Sequence, residues 1–290
     1  MVIDMHYHLD ERMMTIDTLL KKMDENGIDK VALMAQLVDP FPEPGDSLIL
    51  LGQFLLGHRL TRNIAKLMIS RFTEDGSIKL PGGVFSIYSE LNNEKIFLAV
   101  NKYPERFFAW VFVNPDSNND PVEEYNKWKD LKGFAGVKAH PFWHRYSVVK
   151  LAAVAELAAG DGKPLLIHSG FEERGDYHAL REKIPELKII LAHAGFPEFS
   201  DTWRKIKSDK NIFIDFSSHH YVSIKTMREA VEYLGPDRCL FGTDGPFGQP
   251  GEDGIMDYGL IKRRIEFLFP DKGVQRRILG ENFIELAGLK

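Results

Sequence analysis

Short apolar runs rich in β-branched and aromatic residues alternate with amphipathic helical segments along the whole chain. Val2-Ile3 leads the first run. Thr15 then reads as a helix N-cap, Ile16, Leu19, Leu20 and Met23 recur at helical spacing, and Gly27 is a stop signal. Lys30 to Met34 forms a second strand and Phe107 to Val113 a third; a Glu- and Lys-rich helix follows Pro121. Phe134 to His140 is the fourth strand, followed by an Ala-rich helix from Tyr146 to Ala159. Pro164 to His168 is the fifth, Leu187 to His193 the sixth, Asn211 to Phe216 the seventh and Arg238 to Asp244 the eighth. Helices are expected over Ile255 to Phe269 and most of the C-terminus. Near-continuous apolar strands separated by helical patterns indicate a parallel sheet buried on both faces. Eight such units in 290 residues predict a single α/β domain, a (β/α)8 TIM barrel spanning residues 1–290. The alternative, a doubly wound open sheet, lacks its glycine-rich phosphate loop after the first strand.

One stretch departs from the repeat. From Gln36 to about Gly83, after the second strand, the pattern shows Pro40, Pro42 and Pro44, then a helical apolar run from Leu48 to Leu56, then Arg59, Arg62 and Arg71. A helical insertion of this length serves as a lid or binding loop, or as an oligomer contact.

Composition narrows the class. The chain is 44% apolar and 27% charged with a formal net charge of -5, so it is ordinary globular material and no general binder of nucleic acid or anionic membrane. A single cysteine, Cys239, rules out an intrachain disulfide and fits the reducing cytoplasm. No secretory leader pattern opens the chain, and no apolar stretch approaches the length of a membrane span.

The chemistry lies at the strand ends. His6 and His8 are two residues apart in the first strand, so their imidazoles project side by side. His140 ends the fourth strand, His168 the fifth, His193 the sixth and Asp244 the eighth. In a parallel barrel these ends converge on the active site. Three or four N/O donors around an open position suit a catalytic divalent metal, which activates water near neutral pH. Lys138 and His140 alternate with Val137 and Ala139 and face the interior. Lys138 lies two residues before its strand end, roughly 6–7 Å deeper than His140, and is expected to pair with a buried carboxylate.

Together with their surroundings these residues resemble a known family. The start Asp4-Met5-His6-Tyr7-His8 and the runs GVKAHP (136–141), LLIHSG (165–170), ILAHAG (190–195) and LFGTDGP (240–246) look like the amidohydrolase superfamily. Within it they are similar to the amidohydrolase-related branch that includes aminocarboxymuconate-semialdehyde decarboxylase, resorcylate-type decarboxylases and pyrone-dicarboxylate lactonase. The resemblance implies one divalent metal ion, with Zn2+ first and Mn2+ or Fe2+ as alternatives, held by His6, His8, His168 and Asp244. It implies His193 as general acid/base and Asp244 as a proton carrier as well as a ligand. Asp4 is expected to orient a metal-bound imidazole, or else to be an ordinary strand carboxylate. Substrate contacts are expected from His140, Trp143 and Arg59, an arginine being suited to a carboxylate, with Phe196 and Phe247 as further wall. The implied activity is metal-dependent hydrolysis of an ester, lactone or amide of a small carboxylated molecule. The alternative is non-oxidative decarboxylation of a carboxylated aromatic or dienoic substrate by the same metal. The partner is then a small molecule, with neither nucleic acid nor membrane, and a homodimer is in keeping with a branch whose members are often dimers.

Overall fold

The computed structural model describes residues 1–69, 71–80 and 82–289. The described residues form ten strands: β1 (Ile3–Leu9), β2 (Lys30–Ala35), β3 (Ile78–Leu80), β4 (Gly83–Phe85), β5 (Phe107–Val113), β6 (Phe134–Ala139), β7 (Leu165–Ile167), β8 (Ile189–Leu191), β9 (Ile212–Asp215) and β10 (Cys239–Leu240). Eight of them form one parallel sheet in the order β1-β2-β5-β6-β7-β8-β9-β10. The sheet closes on itself. Met5 N donates to Phe241 O at 3.1 Å, Asp244 N to His6 O at 2.8 Å and His8 N to Gly245 O at 2.7 Å. With helices between the strands this is a (β/α)8 barrel. Every residue of β1, β2, β5 and β6 is buried, as expected of strands covered by side chains inside and helices outside.

The local signals act as their chemistry dictates. Thr15 caps helix α1 (Ile16–Asn26) by accepting from Thr18 N, and Gly27, at φ 60°, ends it in a left-handed turn that costs other residues strain. The strands are shorter than the apolar runs at their C-terminal ends. His140 and His168 lie one residue past β6 and β7, His193 two residues past β8 and Asp244 four residues past β10. His193 (φ 54°) and Asp244 (φ 64°) adopt left-handed backbone, a strained state held by the surrounding packing.

Between β2 and the helix Asn93–Lys102 lie α2 (Asp46–Gly57), α3 (Arg62–Ile69) and the antiparallel hairpin β3–β4. The hairpin was not evident in the sequence. This segment is fastened over the C-terminal mouth. Arg62 pairs with Asp201 at 2.8 Å and donates to Glu198 O, Lys66 pairs with Glu172 at 2.5 Å, and Gln53 Nε2 donates to His219 O at 2.8 Å. Glu43 Oε1 lies 2.7 Å from His219 Nε2 and 2.9 Å from His220 Nε2. These contacts reach the loops after β7, β8 and β9, which makes the segment a lid. Its outer face carries exposed Leu50, Phe54, Ile64 and Leu67. No described helix is long and apolar enough to cross a membrane.

Candidate active site

Barrel closure brings β1 beside the end of β10, and with it His6 and His8 beside Asp244. Ligand atoms of the three lie within 4.8 Å of one another. His6 Nε2 is 3.4 Å and His8 Nε2 3.9 Å from Asp244 Oδ1.

The hydrogen bonds behind the rings assign their tautomers. His6 Nδ1 donates to Asp215 Oδ2 at 2.9 Å, and His8 Nδ1 donates to Ala35 O at 2.8 Å. His193 Nδ1 faces Ser217 O at 3.1 Å and so carries its proton there. Its Nε2 accepts from His168 Nδ1 at 3.0 Å. His6, His8 and His168 therefore all present an unprotonated Nε2, and that of His6 accepts from Lys138 Nζ. That of His168 is buried without a hydrogen-bond partner. Burial holds His6, His168, His193 and His140 well below the usual imidazole range and lowers His8 to about 3, so the rings are neutral at neutral pH.

Two unprotonated imidazole nitrogens and a carboxylate oxygen that converge in this way form a donor set for a cation, and the Lys138 ammonium already reaches one of them. Metal bonds of about 2.0–2.2 Å at tetrahedral angles set ligand atoms roughly 3.4 Å apart, close to the spacing here. The orphaned His168 Nε2 and the neutral imidazoles complete the fit to a divalent ion. His168 nevertheless stands outside the 4.8 Å group that His6, His8 and Asp244 form.

Lys138 is fully buried on β6, and its Nζ reaches His6 Nε2 at 3.2 Å. Burial lowers its ammonium and raises the Asp244 carboxyl, while Asp244 and Asp215 hold the lysine charged. Among the described residues its hydrogen-bond partner is His6, and neither aspartate comes within ion-pair distance, so the expected direct pairing with a buried carboxylate is not formed. Of the two expectations for Asp4, the structure fits the strand carboxylate. A β-bulge between Asp4 and Tyr7 sets Met5 and His6 of β1 against Ala32 alone of β2. Asp4 accepts from Thr243 N (3.0 Å), Thr243 Oγ1 (2.6 Å) and Tyr258 OH (2.9 Å), clasping β1 to the end of β10. It touches no imidazole. Asp215 orients His6 instead, as carboxylates behind metal-binding histidines do. It also accepts from His193 N and from Ser217 N and Oγ. Asp215 was not singled out in the sequence, although NIFIDF places it at its strand end just as LLIH places His168.

Above these donors lies a cavity of about 200 Å3 lined by His8, His140, His168, His220, Tyr221 and Asp244 at its floor. His140 stacks on His168 with ring centroids 3.9 Å apart, and its Nδ1 accepts from Trp143 N. Trp143 and Phe247 are in the wall. His193 is not: it stands behind His168, so its contact with the site runs through that ring. Phe196 packs against His168 at 5.2 Å and is likewise outside the wall. Arg59 is exposed in the turn after α2 and does not line the cavity, and Arg62 is committed to Asp201.

A model of the amidohydrolase family matches residues 64–288, so the chain belongs to that family. It is an enzyme of the kind that family defines, a metal-dependent hydrolase or carboxy-lyase. Among solved structures it is similar to 5-carboxyvanillate decarboxylase LigW from Sphingomonas paucimobilis (14% identity, TM-score 0.61, covering 100% of this chain and 99% of that one). It is similar also to a dihydroxybenzoic acid decarboxylase from Polaromonas sp. JS666 with bound manganese and 2-nitroresorcinol (17%, 0.61, 99% and 96%). A third is 4-oxalomesaconate hydratase, LigJ, from Rhodopseudomonas palustris (16%, 0.60, 99% and 96%). No curated protein sequence matches this chain.

Proposed function

We propose that this enzyme is a metal-dependent, non-oxidative decarboxylase of an aromatic or dienoic carboxylic acid. One observation carries the reading: the donor group opens into a cavity whose upper walls are almost entirely carbon. Such walls shed water, and a desolvated carboxylate loses carbon dioxide more readily because the departing charge spreads into the ring or diene. Hydrolysis, the reaction expected first, needs water in the same space and stands second. That decarboxylases recur among the similar structures supports the choice.

His6, His8 and Asp244 would hold the metal, with His168 as the fourth donor. When bound, the ion supplies positive charge that orients the substrate's carboxylate and an adjoining oxygen. Zinc is the proposed ion, with manganese and iron(II) the other metals that such N/O donors accept. The protein's own groups do the rest. Asp215 and Ala35 O fix the His6 and His8 rings, and Asp215, Ser217 and His193 together fix the His168 tautomer. The Asp244 carboxyl oxygen that faces the cavity carries the proton delivered to the carbon from which carbon dioxide departs. His140 and Trp143 flank the substrate. His193 acts as a positioning residue through His168.

The test is carbon dioxide release from hydroxybenzoates and muconates by zinc- or manganese-loaded enzyme, run beside hydrolysis of lactones and esters. Decarboxylation with His8→Ala inactive is expected. Hydrolysis without carbon dioxide release would overturn the reading.

A further inference from the structure

The cavity is polar only at one end. Its floor holds the imidazoles and Asp244, whereas the part built by α2 and α3 presents Leu48, Ile49, Leu55, Leu56, Ala65 and Met68. Among the described residues no lysine or arginine lines it. The lysines and arginines of the lid are turned away: Arg59, Arg71 and Lys79 are exposed, Arg62 pairs with Asp201 and Lys66 pairs with Glu172. Lys138 lies beneath the floor, fully buried against His6, and is not part of the wall.

A substrate with two carboxylates could set one of them on the donor group, but the second would enter carbon walls with no counter-charge. An unpaired charge in such surroundings is strongly disfavoured. An alkyl or aryl group in the same place gains from leaving water. We infer that the substrate is a monocarboxylic acid whose uncharged alkyl or aryl body lies against α2 and α3, and that the lid is the element selecting it. For the reaction this rests on the decarboxylase reading above; for the fit it rests on the cavity alone. The step balances as an aryl carboxylate plus one proton giving the arene and carbon dioxide, with no redox partner.

The experiment uses metal-loaded full-length enzyme and three acids: 2,4-dihydroxybenzoate, its 6-pentyl derivative, and the same ring with a second carboxylate in place of the pentyl group. Binding of resorcinol and 5-pentylresorcinol, which have lost the carboxylate, is measured in parallel by calorimetry. KM and Kd are expected to fall by about fourfold per methylene until the tail meets the lid. The second carboxylate is expected to raise KM at least tenfold. Ala65→Trp, which blocks the space between the lid helices, should erase the pentyl advantage, and Ile49→Arg should shift preference toward the diacid. Should no acid release carbon dioxide while 5-pentylresorcinol still binds at least tenfold tighter than resorcinol and loses that advantage in Ala65→Trp, the substrate inference stands and the decarboxylase reading fails. Equal handling of pentyl and plain compounds, or a preference for the diacid in the wild-type enzyme, overturns the inference whatever the reaction.

Discussion

Replacing Asp215 by asparagine tests the site from behind. The Asp215 carboxylate is fully buried. It accepts from His6 Nδ1 at 2.9 Å, His193 N at 2.9 Å, Ser217 N at 3.0 Å and Ser217 Oγ. Asparagine keeps one carbonyl oxygen, which can continue to serve the two backbone N–H groups. Its amide nitrogen then faces His6 Nδ1–H, donor against donor. Losing a hydrogen bond to a charged group costs about 1.5–3 kcal/mol, and removing such a partner of a metal-binding histidine weakens metal binding by about 10- to 100-fold. Zinc affinity is measured by competition with a chromophoric chelator, and folding by urea denaturation. Ser217→Ala, which leaves the carboxylate in place, should lose less affinity than Asp215→Asn. If Asp215→Asn binds zinc within twofold of wild type while remaining equally stable, His6 is not a ligand oriented by this carboxylate and the tautomer assignment is wrong.

Three further outcomes follow from the structure. Glu43→Gln should loosen the lid, seen as faster limited proteolysis within residues 36–92. Burial pushes the Glu43 carboxyl up, but hydrogen bonds from His219 and His220 outweigh it and bring the group to about 2. Because its folded value is depressed, its contribution is complete above its ordinary value near 4.5 and fades as pH falls toward 2; Glu43→Gln should flatten proteolysis against pH over that range. Tyr258→Phe removes a donor to the buried Asp4 carboxylate and should lower stability by about 1.5–3 kcal/mol in urea while leaving zinc affinity unchanged. Gly136→Ala should abolish soluble expression or cost several kcal/mol. Gly136 sits at φ 151°, and a Cβ there would come within 2.4 Å of Pro164 O and 2.9 Å of Trp110 Cζ3.

Some of the site was legible because one rule of geometry carried it. Parallel barrel strands begin and end together, so a polar residue that closes an apolar run must stand at one mouth. That rule placed His6, His8, His140, His168 and Asp244 together. It did not bear on Asp4, whose two readings stayed open because a one-residue bulge is invisible in an apolar run and reverses which face a residue takes. It failed for His193, whose strand paused two residues early and turned left-handed, setting the ring behind His168. Arg59 was chosen for its charge, but charge does not reveal which way a helix end points.

By itself the sequence determined the repeat of buried strand and amphipathic helix, and therefore the eightfold barrel and the end at which its chemistry gathers. Hydrophobic periodicity is a local property, and it is enough to specify elements and their order. Only the tertiary structure decided which carboxylate stands behind His6, which imidazole nitrogens are left bare, and that the lid offers the cavity carbon rather than cations. Those are contacts between residues as far apart as 209 positions, as His6 and Asp215 are. They depend on barrel closure and the seating of the lid, which no local pattern encodes.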